Sequence, residues 1–375
     1  MRAVVPAALA LLLAAAPAAA QDLNAGRAAH ERGDHATALR ELQPLAEAGA
    51  AEAQLLLGHI HRRGLGVPAD LAEAARWYRA AAGQGVAEAQ SNLGIMHAQG
   101  MGVAQDAAAA LAWFRRAAEQ GDAAGQFNLA QMYRRGQGLA ADPAAALLWY
   151  SRAADQGHAG ALFNIGVMHA EGVGVPRDLA EAEGWFRRAA AAGDAAAGFN
   201  LGIMHARGWG VAQDHAAAAE WFAQAAGRGH PGAQFQLGQL HRQGLGVAED
   251  PAEAVRLFRL AAEQGHTSAQ GVLGVMLSRG IGTPRDEDEA RLWLRRAALQ
   301  GDGDAQVVLA SLLMGSDRPT ALMWLILAAD SSNPATAEAA ATDRDRLART
   351  MSEADRAEAR TRAERCRASA LQDCD

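Results

Sequence analysis

One phrase recurs along this chain at a fixed interval, and that interval restricts the folds that the chain can adopt. Residues 199–211 read Phe-Asn-Leu-Gly-Ile-Met-His-Ala-Arg-Gly-Trp-Gly-Val, and the Leu-Gly step or a near variant returns every 36 residues. A strict period of this length is typical of a repeat array, in which each unit stacks on its neighbours to bury its apolar face. The first residue of the step stands at Leu57, Leu93, Leu129, Ile165, Leu201, Leu237, Leu273 and Leu309.

Each full unit reads as two helices joined by a loop. The loop carries a Gly-x-Gly pair, from Gly64/Gly66 through Gly280/Gly282, for which we predict positive φ rather than a nucleotide site. An aspartate side chain before the second helix can accept hydrogen bonds from the free N–H groups of the first turn. We therefore predict helix caps, not a catalytic or calcium-binding set, at Asp70, Asp106, Asp142, Asp178, Asp214, Asp250 and Asp286. Three of these aspartates have a glutamate three residues later, a spacing like that of a capping box: Asp70/Glu73, Asp178/Glu181 and Asp286/Glu289.

Aromatic pairs recur inside the second helices and predict the core. They stand three and four residues before small residues, which places bulk on one helical face against a close neighbour. The pairs are Trp77-Tyr78, Trp113-Phe114, Trp149-Tyr150, Trp185-Phe186 and Trp221-Phe222, fading to Leu257-Phe258 and Trp293-Leu294.

The period divides the chain into five segments. Residues 1–20 have the pattern of a signal peptide, with an apolar run before Ala-x-Ala, so we expect an exported periplasmic protein, with extracellular secretion as the alternative. Residues 21–49 are predicted to form an N-terminal capping helix pair, and residues 50–301 hold seven repeats. Residues 302–331 form a truncated eighth repeat, and residues 332–375 a C-terminal helical cap and tail that shields the last apolar face.

The charge and the cysteine content exclude several classes of partner and of catalytic site. A formal net charge of −7 argues against nucleic acid as a partner. All the basic residues are arginines, which excludes a lysine phosphate loop, a Schiff base and a Ser-x-x-Lys acyl enzyme. Cys366 and Cys374 lie in the tail, where a disulfide and two free thiols both remain open. We predict no membrane span in the mature chain, no metal and no cofactor.

The assembled motif resembles a known family. The phrase Ala-x-Ala-Gln-x-Asn-Leu-Gly-x-Met-His-x-x-Gly-x-Gly-Val-x-x-Asp, followed by Ala-x-x-Trp-Phe-x-x-Ala-Ala-x-x-Gly, is similar to the Sel1-like repeat, close kin of tetratricopeptide repeats. The resemblance implies an all-α fold, a right-handed α/α superhelical solenoid whose first helices line a concave face used for protein partners. Penicillin-hydrolysing or penicillin-binding activity is attributed to relatives with a cysteine pair in each repeat, but these repeats contain no cysteine.

Two rows of first-helix residues are candidates for that groove. In tetratricopeptide relatives an Asn just before the matching step faces the groove and can form a hydrogen bond with a peptide backbone. The alternative for this chain is that each Asn forms a hydrogen bond with the neighbouring repeat. The corresponding residues are Asn92, Asn128, Asn164, Asn200 and Gln236. The second row consists of the residues just before these amides, and four of them are aromatic: Phe127, Phe163, Phe199 and Phe235. Such rings can anchor apolar side chains of a ligand, or they can pack between repeats. Arginines on the same helices complete the candidate groove, namely Arg134, Arg207 and Arg242.

A third row carries imidazoles where the family usually has Tyr. We expect each ring to reach a loop carbonyl through its polar atom. Rings one repeat apart would lie about 10 Å from each other, too far to share a zinc ion, although a pH response remains open. The row is His61, His97, Tyr133, His169, His205 and His241.

The sequence therefore predicts a monomeric, non-enzymatic exported adaptor or scaffold. Its concave face would bind a protein or peptide partner in envelope regulation or complex assembly. We predict no catalytic residue. The alternative is a hydrolase acting on cell-wall or β-lactam compounds, which rests on family analogy.

Overall fold

The computed structural model describes residues 23–372 and Cys374, and this part of the chain contains helices and no strand. The predicted signal peptide lies outside the described residues. The helices are α1 (23–31), α2 (His35–Glu47), α3 (Ala51–Arg63), α4 (Leu71–Gly83), α5 (Ala87–Gln99), α6 (Ala107–Glu119), α7 (Ala123–Arg135), α8 (Pro143–Asp155), α9 (Ala159–Glu171), α10 (Leu179–Ala191), α11 (Ala195–Arg207), α12 (His215–Gly227), α13 (Pro231–Gln243), α14 (Pro251–Glu263), α15 (Thr267–Arg279), α16 (Glu287–Leu299), α17 (Gly303–Leu313), α18 (Arg318–Ala328), α19 (Pro334–Ala348) and α20 (Glu353–Ala368).

The chain forms two compact units, Met1–Ala192 and Gly193–Asp375. Within each unit the first helix of a repeat packs against the second helix of the same repeat, as α5 packs on α6 and α13 on α14. It also packs against the second helix of the repeat before, as α5 does on α4 and α13 on α12. The predicted all-α repeat solenoid is confirmed.

Aspartate caps set the start of the second helices as predicted. Asp106 accepts hydrogen bonds from the N–H groups of Ala108 and Ala109, and Pro143 and Pro251 occupy first-turn positions that need no N–H donor. Only half of the capping box forms: the Asp70 side chain accepts the N–H of Glu73, but the N–H of Asp70 donates to the carbonyl oxygen of His61, at 2.9 Å, and not to the glutamate. The glutamates therefore make other contacts: Glu181 and Glu289 accept the indole N–H of Trp185 and Trp293.

Both glycines of the loop have positive φ, and each has its own reason. Gly100 ends α5 in the left-handed conformation, where its N–H donates to the carbonyl oxygen of Met96. Gly102 lies against the first turn of the preceding second helix, and a Cβ atom there would stand 2.2 Å from the carbonyl of Leu71. The second glycine thus allows neighbouring repeats to approach closely.

The two rings of each aromatic pair occupy different parts of the core. The second ring of the pair lies on the glycine of the Leu-Gly step, so that a Cβ atom at Gly58 would stand 2.5 Å from Tyr78. The first ring packs between its own repeat and the helix pair before it, as Trp77 shares a core with Leu57 of its own repeat and with Leu42 of α2. The Leu-Gly step is therefore a site of helix–aromatic packing.

Buried glutamines join successive repeats, a role that the sequence interpretation missed. The side chain of Gln90 donates to the carbonyl oxygen of Ala82 in the preceding repeat and accepts a 2.7 Å bond from Gln120 in its own repeat. We call this row the glutamine ladder. It consists of Gln54, Gln90, Gln126, Gln234, Gln270 and Gln306, with exposed partners at Gln84, Gln120, Gln156, Gln264 and Gln300.

The C-terminal helices close the second unit. Helices α18, α19 and α20 share one core around Trp324 and Leu347. Ser352 caps α20 by accepting the N–H of Asp355. Cys366 and Cys374 form a disulfide with a Cα separation of 4.4 Å. This arrangement buries the apolar face of the last repeat.

Candidate functional site

The asparagine row lies on half-buried faces of the first helices. Asn92, Asn128 and Asn164 each donate to the carbonyl oxygen four residues earlier in the same helix, over 2.9, 2.9 and 2.7 Å. This bond is neither the groove contact nor the bond to the neighbouring repeat that the sequence left open. It uses one amide N–H and leaves the carboxamide oxygen and the second N–H as the groups that a ligand can meet.

The phenylalanine row packs between repeats and meets the helix caps. Phe127 stacks on His158 with ring centroids 4.5 Å apart and an interplanar angle of 23°. His158 also caps α9, because its Nδ1 atom accepts the N–H of Ala161. We call the three residues with this double role the histidine caps: His158, His230 and His266, stacked on Phe127, Phe199 and Phe235.

Burial lowers the pKa of all three histidine caps. A protonated Nδ1 atom could not accept the backbone N–H of the first turn, so the neutral ring is the form that the fold uses. Where the ring is replaced by Ser91, the next cap is Asp122, and the serine hydroxyl donates to that carboxylate at 2.5 Å. These contacts show the row acting in packing between repeats.

The third row does not make its predicted bond. The Nδ1 atoms of His97, His169, His205 and His241 are buried without a hydrogen-bond partner. The loop bond is made by the backbone instead, because the carbonyl oxygen of each accepts the N–H of the next aspartate cap, as His97 does from Asp106. The expectation that the ring nitrogen reaches a loop carbonyl is therefore wrong at the Nδ1 atoms of these four histidines.

A cleft on the first helices of the first unit is rich in carboxamides. It has a volume of about 480 Å³, between the C-terminal ends of α5 and α7. Ile95, Met132 and the buried Phe114 supply apolar surface. Of the predicted candidates it includes Asn128, and the other side-chain amides are those of Gln99, Gln105, Gln131 and Gln137. We call it the amide cleft.

A second cleft lies on the first helices of the second unit, along α13, α15 and the start of α17. Its volume is about 410 Å³, and Val272, Val275 and Ile281 form its apolar surface. The predicted candidate Arg242 stands on this cleft with Arg279, and Asp302 and Asp304 supply carboxylates. We call it the charged cleft.

The remaining candidates are distributed over other contacts. The guanidinium of Arg207 stacks on the exposed ring of Trp209, 4.6 Å from its centroid. Arg134 is half-buried beside Tyr150, whose pKa is raised to about 12 chiefly by burial. Asn164, Asn200 and Gln236 line neither cleft. The cleft glutamines were missed because they stand at positions that vary between repeats.

Comparison with known proteins decides the family. The sequence profile of the Sel1 repeat matches residues 51–86, 87–122, 123–158, 159–194, 195–230, 231–266, 267–302 and 304–333. The chain belongs to the Sel1 repeat family. Sel1 repeats generally mediate protein interactions. A search of the curated proteins finds none that matches this chain.

Two solved structures resemble this Sel1 repeat protein along most of its length. One is a protective antigen of uropathogenic Escherichia coli strains with an SLR fold, which is 28% identical and covers 98% of this chain and 96% of its own, with a TM-score of 0.60. The other is a Sel1 repeat protein from Oxalobacter formigenes, which is 34% identical and covers 78% of this chain and 87% of its own, with a TM-score of 0.65. Over residues 23–372, no helix has the length and apolar character of a membrane span.

Proposed function

We propose that this Sel1 repeat protein is a non-enzymatic exported adaptor that binds a protein or peptide partner through its first helices, in envelope regulation or complex assembly. The observation that carries the proposal is the chemistry of the amide cleft and the charged cleft. Carboxamides both donate and accept hydrogen bonds, which matches the alternating groups of a polypeptide backbone. Apolar side chains flanked by arginines and carboxylates match a peptide that has charged residues on either side of an apolar one.

The charged cleft supports a specific orientation of the partner. Arg242 and Arg279 contribute positive charge, and Asp302 and Asp304 contribute negative charge. Asp304 already accepts a 2.5 Å bond from Thr336, and Asp302 caps α17. Both carboxylates are therefore held in place before a partner arrives, which lowers the entropy cost of binding.

Site-specific photo-crosslinking in cells tests this face. We expect benzoylphenylalanine at Arg279, beside the charged cleft, to give one discrete cross-linked product that mass spectrometry identifies. The matched control places the same group at Glu263, an exposed residue at the end of α14 on the preceding second helix. Equal cross-linking from the two positions, or none from Arg279, would contradict the proposal.

Export has its own test. The signal peptide pattern of residues 1–20 ends at Ala20, so the mature chain should begin at Gln21. N-terminal sequencing of the protein purified from its native cells should read Gln-Asp-Leu-Asn. An intact Met1 in the purified protein would refute the predicted export.

A further inference from the structure

A third cleft lies on the opposite set of helices, between the second helices α12 and α14. Its volume is about 820 Å³. Ala219, Leu237, Val247 and Leu257 supply apolar surface, and Glu220, Glu253 and Arg256 supply charge. We call it the second-helix cleft.

This cleft coincides with two departures from the repeat. Leu257 stands where the other repeats have a tryptophan, at Trp77, Trp113, Trp149, Trp185, Trp221 and Trp293. Thirty-four residues earlier, Ala223 stands where most repeats have an arginine, at Arg79, Arg115, Arg187, Arg259 and Arg295. On these two second helices, a leucine thus replaces a tryptophan and an alanine replaces an arginine.

The next repeat shows how these two residue types fill the same place. Trp293 is 5% exposed, and its indole N–H donates to Glu289 over 3.0 Å. Arg259, from the preceding second helix, makes a two-pronged ion pair with the same carboxylate. The ring covers the core around Leu273, and the glutamate holds both the ring and the guanidinium.

In the second-helix cleft the glutamate and the core remain, but the ring is missing. The carboxylate of Glu253 is paired with Arg256 of its own helix, and no arginine reaches it from position 223 of the preceding second helix. Glu253 corresponds to Glu289, and its pKa is lowered by a hydrogen bond from Arg256, so it is ionised at neutral pH. Leu237 is 7% exposed, whereas the equivalent Leu57, Leu93, Leu129, Ile165, Leu201 and Leu273 are 0% exposed. Leu237 is therefore slightly more exposed than its equivalents, and it lines the same cleft as the charged acceptor Glu253.

We propose that the second-helix cleft binds a tryptophan side chain, flanked by a basic residue, of a partner polypeptide. The indole would cover Leu237 and donate its N–H to Glu253, as Trp293 does to Glu289. The basic group would meet Glu220 on the side that Arg259 occupies one repeat later, since Glu253 is already paired with Arg256. This site is separate from the amide and charged clefts, so it can hold even if the first helices bind no partner.

A titration with N-acetyltryptophanamide, followed by NMR shifts of the protein amides, tests the site. We expect shifts in α12, α13 and α14 that saturate, and at least a tenfold loss of affinity in Leu257→Trp, whose own ring fills the cleft. Ala223→Arg closes the cleft from α12 and should also weaken binding, which keeps the test valid if Leu257→Trp does not fold. The matched control Leu148→Trp adds an indole at a site on α8 that is 52% exposed, and it should bind as the wild type does.

The carboxylate has a separate readout. N-acetylphenylalaninamide lacks the indole N–H, and we expect it to bind about fivefold to tenfold more weakly than the tryptophan probe. Glu253→Ala should reduce this preference to nearly equal affinity. Unchanged binding in both cleft-filling variants, or a preference that survives Glu253→Ala, would overturn the proposal.

Discussion

Replacing one member of the glutamine ladder gives the sharpest test of how the repeats are joined. Gln270 is 4% exposed, donates to the carbonyl oxygen of Ala262 over 3.0 Å and accepts from Gln300 over 2.7 Å. The chain already contains another solution at these two positions, because Leu162 and Ala192 replace the pair in the fourth repeat. Leu162 is itself buried. We therefore choose the substitutions Gln270→Leu and Gln300→Ala.

The magnitude follows from the bonds that each change removes. Gln270→Leu loses two hydrogen bonds of about 1 kcal/mol each, so we expect a cost of about 2 kcal/mol. Gln300→Ala loses the shared bond and the exposed bond that Gln300 accepts from the Thr267 hydroxyl, which water can replace. It should therefore cost about 1 kcal/mol, since Gln300 is exposed and its carbon chain adds little burial. The double variant removes the shared bond once, so it should cost about 2 kcal/mol instead of 3, a coupling of about 1 kcal/mol.

Hydrogen–deuterium exchange of the α15 amides measures these free energies locally, which avoids treating two compact units as one two-state system. Gln224→Leu, at an exposed position of α12, is the control and should change stability by less than about 0.5 kcal/mol. If the two single changes add without coupling, the Gln270–Gln300 bond does not contribute to joining the repeats. If Gln270→Leu alone leaves the stability unchanged, the glutamine ladder stabilises the repeats through packing and not through its hydrogen bonds.

Three further predictions address the turns, the caps and the second-helix cleft. Gly102→Ala should lower the free energy of unfolding by about 3 kcal/mol or more, because it places an alanine in the left-handed conformation and makes it clash with Leu71. Gly83→Ala, whose new Cβ atom meets nothing within 4 Å, should raise the free energy of unfolding by up to about 0.5 kcal/mol. Thermal unfolding of the two variants compares these effects. The histidine caps have lowered pKa values, so their stabilisation is present above about pH 6.5 and is lost as the pH falls through the folded pKa. Asn caps a helix without titrating, so replacing all three histidines by Asn should reduce the change in melting temperature between about pH 7.5 and 5. The same pH dependence in the variant and the wild type would refute this. Leu257→Trp should raise the melting temperature by filling the second-helix cleft, by an amount equivalent to about 1 kcal/mol, and a lower melting temperature would show that the cleft cannot accept an indole.

The fold could be predicted because its determinants are local and recur. An aspartate before each second helix and a glycine at the end of each first helix act through their own turn, so the spacing alone assigns their roles. Gly102 is different, since its close approach to Leu71 depends on a residue 31 positions earlier in the chain. The period located this glycine, but the packing reason became clear only in the structure.

The candidate site could be predicted only in part. The asparagine row was placed on the first helices by its position in the repeat, but its bond within its own helix depends on the side-chain rotamer, which spacing does not specify. The glutamine ladder was visible as a recurring Gln and had no assigned role, because its partners lie 8 residues before and 30 residues after it. Such contacts between elements are not periodic signals of a single helix.

The histidine caps show how a residue type can be explained without reference to a ligand. A capping histidine occurs at His158, His230 and His266, each 31 residues after a phenylalanine, and a capping aspartate occurs after Ser91. Stacking explains the first pairing and a hydrogen bond explains the second. Phe163 is the exception, because the cap 31 residues after it is Asp194. In the other four pairs the two residues bond or stack on each other, so their contacts are explained without a partner.

Positions that change alone are therefore the informative ones in a repeat protein. A residue that is present in every repeat has the same neighbours each time, which is what a role in packing or turn formation requires. Leu257 and Ala223 changed while Glu253 and Leu237 kept the identities that accompany a tryptophan and an arginine in the next repeat. Because Arg256 already pairs with Glu253, the group that is missing beside this carboxylate is an indole donor. If Leu257→Trp is both more stable and unable to bind N-acetyltryptophanamide, the wild-type chain has lower stability at a place where the tryptophan of a partner fits.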